Sequence, residues 1–286
     1  MADLKSIRRR IRSITNMQKI FKAMETVAAA KLRRAQARAQ AARPYAEKIT
    51  EMLANLAGAA SELEHPLFKA REVKRTALVV VTSDGGLAGA YNANVLRTAE
   101  QRLRHAAPGA IALVVVGKKG RDYFRRRAWP VLASHIEVPP EGSLAFAREL
   151  TQNLIERFVK GEVDRVELLF THFVNVMVRR VETQVFLPVG ADSKEGRVAQ
   201  DRGTIFEPDP ETIFAELLPR YATAKLFAAL ADALASEQAA RMIAMGAARK
   251  NAGELLDGLV LERNRARQAM ITKELLEIVA GAEALK

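Results

Sequence analysis

The two ends of the chain carry apolar residues at alternating spacings of three and four positions. In residues 1–57 these are Leu4, Ile7, Ile11, Ile14, Met17, Phe21, Met24, Ala28, Leu32 and Ala35. This spacing puts the side chains on one side of an α-helix and is typical of a coiled-coil seam. The segment lacks glycine and is rich in good helix formers. We therefore predict a long helix over residues 1–57, with a kink or break at its one proline, Pro44.

The C-terminal segment, residues 209–286, predicts a second long helix. No proline follows Pro219, and the apolar positions are Met242, Met245, Ala252, Leu256, Leu259, Ala266 and Met270. Arg249 and Arg263 occupy the two positions at which this seam lacks an apolar residue. Small residues at Gly246, Gly253 and Gly258 leave space for a partner to approach, although each weakens the helix by about 1 kcal/mol relative to alanine.

The length of the second helix constrains how the chain folds. A continuous helix over residues 220–281 would be about 93 Å long, at about 1.5 Å per residue. A compact chain of 286 residues would be only about 50 Å across. The helix must therefore protrude, and the heptad partner available within the chain is the N-terminal helix. This argument predicts an antiparallel two-helix coiled coil formed by the two ends of the chain.

The middle of the chain, residues 73–208, predicts an α/β head. Residues 77–82 and 110–116 are short apolar runs followed by glycine-containing loops, a pattern typical of buried parallel strands. Helices are predicted over residues 92–106, 118–127 and 143–160, a third strand over 131–138, and a hairpin over 165–186. These elements indicate a Rossmann-like sheet with flanking helices. The polar residues 191–204 predict a mobile loop.

Composition narrows the possible chemistry. The chain has no cysteine, which excludes disulfides, thiolate metal sites and cysteine nucleophiles. It has no apolar run of the roughly 20 residues that span a bilayer and no signal-peptide core, so we expect it to be neither secreted by that route nor membrane-spanning. The four histidines, His65, His105, His135 and His172, are scattered and have no zinc-ligand spacing. Since no catalytic motif is present, we expect no independent catalysis and no bound cofactor or metal.

The positive charge is concentrated in one element. Residues 1–50 contain thirteen basic and three acidic residues, so they carry +10 of the net charge of +12. The segment has almost no aromatic residues on which nucleic-acid bases could stack. The cations therefore suit either a solvated helix face or a face that meets an acidic protein surface.

Two loops of the head invite comparison with phosphate-binding loops. Residues 83–89 (Ser-Asp-Gly-Gly-Leu-Ala-Gly) follow the first strand, but Asp84 stands where a dinucleotide loop requires its first glycine, and no Walker A lysine follows. We interpret the segment as a tight turn that packs a helix on the sheet. Residues 117–120 (Gly-Lys-Lys-Gly) fit a solvated turn better than an anion site at a helix N-terminus.

The apolar residues 275–282 would lie at the tip of the protruding helix, which predicts a contact surface there. Taken together, the residues leave three possibilities open. The chain could be a structural subunit of a larger assembly. It could be a coiled-coil scaffold or nucleic-acid-binding protein that uses the basic helix. It could also be a nucleotide-dependent enzyme built on the head.

Several segments resemble one family. They are residues 20–27 (Ile-Phe-Lys-Ala-Met-Glu-Thr-Val), 82–89 (Thr-Ser-Asp-Gly-Gly-Leu-Ala-Gly), 206–208 (Phe-Glu-Pro), 235–242 (Ala-Ser-Glu-Gln-Ala-Ala-Arg-Met) and 264–272 (Asn-Arg-Ala-Arg-Gln-Ala-Met-Ile-Thr). With these segments the chain resembles, over essentially its whole length, the gamma subunits of F-type ATP synthases of the bacterial type.

The resemblance implies a non-catalytic rotor shaft. Its partners would be a hexamer of alpha and beta subunits that holds Mg-ATP or Mg-ADP, an epsilon subunit and a ring of c subunits. The shaft would couple proton flow through the ring to ATP synthesis or hydrolysis, and would regulate ATPase activity and proton flow. The resemblance also implies a peripheral location on the cytoplasmic side of the cell membrane.

The resemblance assigns contact residues where the motifs match. Contacts between rotor and stator would involve Lys22, Met24, Arg33, Arg34, Arg241, Gln268 and Thr272. Contacts with epsilon and the c ring would involve Phe206 and Glu207, although the family often has tyrosine at the first of these positions. The chain departs from the family pattern at three positions, Gly85, Arg263 and Lys273, which leaves the polar contacts around them unassigned.

Overall fold

The structure is a computed structural model that describes residues 4–59, 65–68, 71–139, 144–189 and 210–283 of the 286. In chain order the elements are α1 (Leu4–Ala59), β1 (Thr76–Val81), α2 (Tyr91–His105), β2 (Ile111–Val116), α3 (Lys118–Arg126), β3 (Val131–His135), α4 (Leu144–Val159), β4 (Arg165–Phe173), β5 (Arg179–Leu187) and α5 (Pro210–Glu283). They form two compact units. Unit 1 comprises Met1–Ala28 and Arg241–Lys286, and unit 2 comprises Ala29–Ala240.

Unit 2 contains a five-stranded sheet in the order β3-β2-β1-β4-β5. The first four strands of that order are mutually parallel, and β4 pairs with β5 as an antiparallel hairpin. All six residues of β1 are buried, which explains why the strand is a continuous apolar run rather than an alternating pattern. The α/β head, its two parallel strands and its hairpin are thus confirmed.

Helices cover both faces of this sheet. Ala77, Val79 and Val81 of β1 belong to a core built with α4 and the first part of α5. Leu78 and Val80 point the other way, into a core shared with α2 and α3. Successive side chains of a strand alternate between faces, so one apolar strand supplies both cores.

The first part of α5 is fastened to the hairpin by polar contacts. Lys225 Nζ donates to the carbonyl oxygen of Val185 at 3.0 Å, and Ser236 Oγ donates to that of Thr171 at 3.0 Å. Nδ1 of His172 lies 2.5 Å from Oδ2 of Asp232. The residues of α5 up to Ala240 therefore belong to unit 2, while the predicted boundaries at residues 57, 73, 208 and 209 remain predictions.

Unit 1 contains two antiparallel helical segments, one from α1 and one from α5. Glu25 contacts Arg249, whereas Ile14 adjoins Leu255 and Leu259. Residue numbers thus fall along α1 as they rise along α5, which confirms the antiparallel coiled coil. Ile7 and Ala28 of the predicted seam are at most 1% exposed.

Two local predictions are corrected by the structure. Helix α1 continues through Pro44, which excludes the predicted alternative of a break there, whereas the alternative of a kink remains a prediction. A proline removes only one main-chain hydrogen bond, and a helix of 56 residues retains the others on both sides. The third strand ends at His135 rather than at residue 138 because Glu137 adopts a left-handed φ of 56°, which turns the chain out of the strand.

Gly117 joins β2 to α3 in a conformation open to glycine alone, with φ of 96° and ψ of 143°. A Cβ at this position would lie 2.3 Å from the carbonyl oxygen of Thr82. We expect Gly117→Ala to lower the free energy of unfolding by about 2–4 kcal/mol, measured by urea denaturation of the full chain.

Gly109 provides the matched control for this substitution. It has a φ of 82°, but no atom lies within 4 Å of the position of its Cβ. Gly109→Ala should therefore cost only the left-handed strain of about 1–2 kcal/mol. Equal losses in the two variants would contradict the steric conflict with Thr82.

Candidate functional site

The basic surface predicted from the sequence lies on α1. The side chains of Lys22, Lys31, Arg33 and Arg34 are all exposed, and none forms an ion pair with another described residue. Between residues 8 and 34 the sequence has nine basic residues and one acidic residue, Glu25. This helix therefore presents cations whose charge the described part of the chain does not neutralise.

Met24 lies on the apolar side of the same helix. Its side chain is half-buried, as are those of Phe21 and Ile14 on the same seam. Because apolar residues recur every three or four positions, Met24 belongs to the seam, and its side chain is only half removed from solvent. The structure thus places Met24 and Lys22 within one turn of each other, as the sequence predicts.

Glu25 is held by the other helix of unit 1. Nε of Arg249 donates to Oε2 of Glu25 at 2.9 Å. The sequence analysis assigned no role to this pair. The sequence does contain a sign of this pair. Arg249 is a basic residue at a seam position of α5, and Glu25 is an acidic residue beside the seam of α1.

Gln268 and Thr272 lie far from Lys22 along unit 1. The hydroxyl of Thr272 donates to the carbonyl oxygen of Gln268 at 3.0 Å, and both side chains are exposed. Gln268 is nineteen residues beyond Arg249, or about 28 Å along the helix, so it is well separated from Glu25. Every side chain from residue 267 to 281 is exposed.

The other predicted contact residues are Arg241, Phe206 and Glu207. Arg241 is half-buried at the start of the α5 segment in unit 1. Phe206 and Glu207, predicted to contact epsilon and the c ring, lie outside the described residues, as does the predicted loop at 191–204. The structure therefore gives two separate groups, one around Met24 and one around Gln268, rather than a single pocket.

The three departures from the family pattern have local partners. The carbonyl oxygen of Gly85 accepts a hydrogen bond from the hydroxyl of Ser83 at 2.7 Å. Nη2 of Arg263 donates to Oδ1 of Asn264 at 3.1 Å, and Lys273 forms an exposed pair with Glu277 at 3.6 Å.

The glycine-rich loop after β1 is a hydrogen-bonded turn. The amide of Ser83 donates to Oδ1 of Asn92 at 3.0 Å, which ties the loop to α2. The amide of Lys118 donates to Oδ1 of Asp84 at 2.8 Å, and that of Gly120 donates to the hydroxyl of Thr82 at 2.9 Å. The chain's own carboxylate thus occupies the N-terminus of α3, where a bound anion would otherwise be favoured.

Several ionisable side chains of the head form hydrogen bonds or ion pairs with each other. Tyr123 donates a hydrogen bond to Glu100, which Arg104 also contacts at 2.6 Å. These bonds lower the pKa of the Glu100 carboxyl, while burial, reinforced by the bond to Glu100, raises the pKa of Tyr123. Burial lowers the pKa of His135. The bond between Tyr123 and Glu100 links α3 to α2, and His135 packs against Phe146.

Two further polar pairs were not anticipated from the sequence. Oε2 of Glu167, in the buried strand β4, lies 2.5 Å from Nη2 of Arg102, and His172 pairs with Asp232. Among the described residues, no three His, Cys, Asp or Glu side chains gather as they would around a metal ion. None of the described helices is both long and apolar enough to cross a membrane.

Comparison with known proteins assigns the chain to a family. A family model described as ATP synthase matches residues 3–285. The ATP synthase gamma chains of Desulforamulus reducens and Moorella thermoacetica are each 46% identical to it, and each alignment covers the whole of both chains.

Chains in solved structures of ATP synthases are also similar to this chain. A chain of the Tetrahymena thermophila mitochondrial ATP synthase central stalk and c ring is 27% identical, with a TM-score of 0.62 over 80% of this chain and 99% of that one. A chain of the Euglena gracilis mitochondrial ATP synthase is 19% identical, with a TM-score of 0.71 over 99% of this chain and 94% of that one, and supports the fold. The chain therefore belongs to the ATP synthase gamma chain family.

Proposed function

We propose that the chain is the central rotor shaft of an F-type ATP synthase and couples proton flow through a c ring to ATP synthesis or hydrolysis. The observation that carries this proposal is the two-helix unit 1. It exposes cations that lack acidic partners among the described residues, and it ends in a helical segment, residues 267–281, with every side chain exposed. Such a unit is suited to be surrounded by other subunits.

The chain is the non-catalytic member of the complex, and the alpha and beta subunits perform the chemistry. Their hexamer would also hold the Mg-nucleotides, so this chain needs no cofactor of its own. The turn at residues 83–89 supports this division, because its polar groups bond within the chain. The chain would lie on the cytoplasmic side of the cell membrane as a peripheral subunit and would regulate ATPase activity and proton flow.

The proposed contacts form two levels along the shaft. Lys22, Met24, Arg33, Arg34 and Arg241 would face an acidic surface of the beta subunits. Gln268 and Thr272 would lie in the bearing formed by the hexamer at the end of α5. At the head, Phe206 and Glu207 would contact epsilon and the c ring.

Torque transmission requires that these contacts differ between rotational states. A shaft that bound equally well to all states of the hexamer would shift none of their populations. One chain inside a ring of three equivalent alpha–beta pairs meets each pair with a different side of unit 1. The asymmetric charge of α1 therefore provides the differential contacts that the mechanism needs.

Co-expression with alpha and beta subunits tests the proposal. The chain should copurify with the alpha–beta hexamer, and the complex should hydrolyse ATP with rotation of a probe attached to the head. A chain that stays separate from the hexamer, or that binds duplex DNA alone with a steep salt dependence, would instead support the nucleic-acid-binding alternative.

We also expect the full chain alone to bind neither ATP nor NAD. The reason is that Asp84 already accepts the amide hydrogen bond at the N-terminus of α3, where a phosphate would have to compete. Titration calorimetry with each nucleotide checks this. Micromolar binding of either one would favour an enzyme built on the head.

A further inference from the structure

Two polar side chains of α1 lie against two glycines of α5 within unit 1. A Cβ added to Gly246 would lie 3.2 Å from Oε1 of Glu25, and one added to Gly253 would lie 3.2 Å from Nε2 of Gln18. Both distances are shorter than ordinary van der Waals contacts of a Cβ. Each glycine thus leaves the space that the opposing polar side chain occupies.

These contacts follow the heptad repeat of both helices. Gln18 and Glu25 are seven residues apart on α1, and Gly246 and Gly253 are seven residues apart on α5. A heptad corresponds to two turns, so both contacts recur on the same side of each helix. The two contacts therefore belong to a single register of the antiparallel pair.

An ion pair between Arg249 and Glu25 also depends on this register. It stands at a seam position, one turn from Gly246, and its Nε donates to Oε2 of Glu25 at 2.9 Å. The side chains of Glu25 and Arg249 are 29% and 45% exposed, so the pair remains partly accessible to solvent. An exposed pair contributes about 0–1 kcal/mol, so it acts together with the two glycine contacts.

A repeating apolar seam alone is compatible with several registers of the two helices. A slip of one heptad, about 10 Å along the axis, returns apolar residues to apolar neighbours. After such a slip Glu25 would face Leu256 in one direction or Met242 in the other, instead of Arg249. The polar contacts distinguish the native register from these neighbouring ones because either slip of one heptad leaves the carboxylate without its cation.

We propose that Glu25 and Arg249, with Gly246 and Gly253, lock the register of the two helices so that the shaft transmits torque without slipping. The proposal rests on the rotor function above. Glu25 and Arg249 are positioning residues, because they act through Lys22 and Met24, which lie within three residues of Glu25 on α1. The lock holds these contact residues at a fixed height and angle relative to α5.

The register can be measured directly in the full chain. Since the chain has no cysteine, spin labels can be placed at Val27→Cys and Leu261→Cys, whose native side chains are 53% and 60% exposed. We expect one distance in the otherwise native chain. Arg249→Met should add a second population displaced by about 10 Å along the axis, and Arg249→Lys, which keeps the cation, should restore the single distance.

The exposed pair between Lys250 and Glu254, within α5, provides the control. Its atoms are 3.9 Å apart and it joins no other helix, so Glu254→Gln should leave the single distance unchanged. A single native distance in Arg249→Met would overturn the lock. A second population of equal size in Glu254→Gln would also overturn it, because the effect would then not be specific to the pair with Glu25.

The same variants in the assembled ATP synthase test the mechanical consequence. We expect Arg249→Met to pump at least about twofold fewer protons per ATP hydrolysed, and the exchange Glu25→Arg with Arg249→Glu to recover most of the loss. A second distance population with native pumping would overturn the positioning role. Failure of the native chain to assemble with the hexamer would count against the rotor function, while the label distances would still report the lock.

Discussion

Neutralising Lys22, Lys31, Arg33 and Arg34 together is expected to weaken the fit between the shaft and its hexamer and to flatten the salt dependence of ATPase activity. All four side chains are exposed and form no ion pair with another described residue, so their charge is available to a partner. An exposed pair contributes about 0–1 kcal/mol. One substitution should therefore change turnover by less than about fivefold, whereas the four together should exceed that.

The measurement is ATPase turnover of the reconstituted complex between low and high ionic strength. The head supplies a matched control, in which Lys118, Lys119, Arg125 and Arg126 lose the same four charges from exposed positions on α3. A long-range effect of net charge would appear equally in both variants. If the α1 variant keeps the native salt response, the acidic partner surface is not where we propose it.

The sequence predicted most of the fold because each element there has a strong local signal. The continuous apolar runs of β1 and β2 could be buried only in the middle of a parallel sheet, and the seam of α1 required a helical partner. The alternative of a break at Pro44 was wrong because a single local penalty does not end a helix that is otherwise favourable along its whole length. The end of the third strand depended on the positive φ of Glu137, for which the sequence has no distinct signal.

The candidate site was predictable only in part. The cations of α1 and the spacing of its apolar seam can be read directly from the sequence. The exposure of the cations and the burial of the seam were therefore expected. The pairing of Glu25 with Arg249 depends on which turn of α5 lies opposite which turn of α1. That register is a tertiary property, and a repeating seam allows several. The pair between His172 and Asp232 was missed for the same reason, since sixty residues separate its members.

Met24 is the position at which a single added charge should have the largest effect on coupling. Its side chain is half-buried on the apolar seam, two residues after the exposed Lys22. The neighbouring carboxylate of Glu25 is already bound by Arg249. A lysine at position 24 could extend along the helix surface and keep its ammonium group in water or against an acidic partner.

We therefore expect Met24→Lys to assemble normally but to pump fewer protons per ATP hydrolysed. The new cation would form an ion pair with the acidic surface of one beta subunit, stabilise one rotational state, and raise the barrier to leaving it. Met24→Leu keeps the side chain apolar and nearly conserves its volume, so it should cost less than about 1.5 kcal/mol and pump normally. Proton pumping and ATP hydrolysis are measured together in vesicles for the native and both variant complexes. Native pumping in Met24→Lys, or equal impairment in Met24→Leu, would show that the added charge does not retain the rotor in one state.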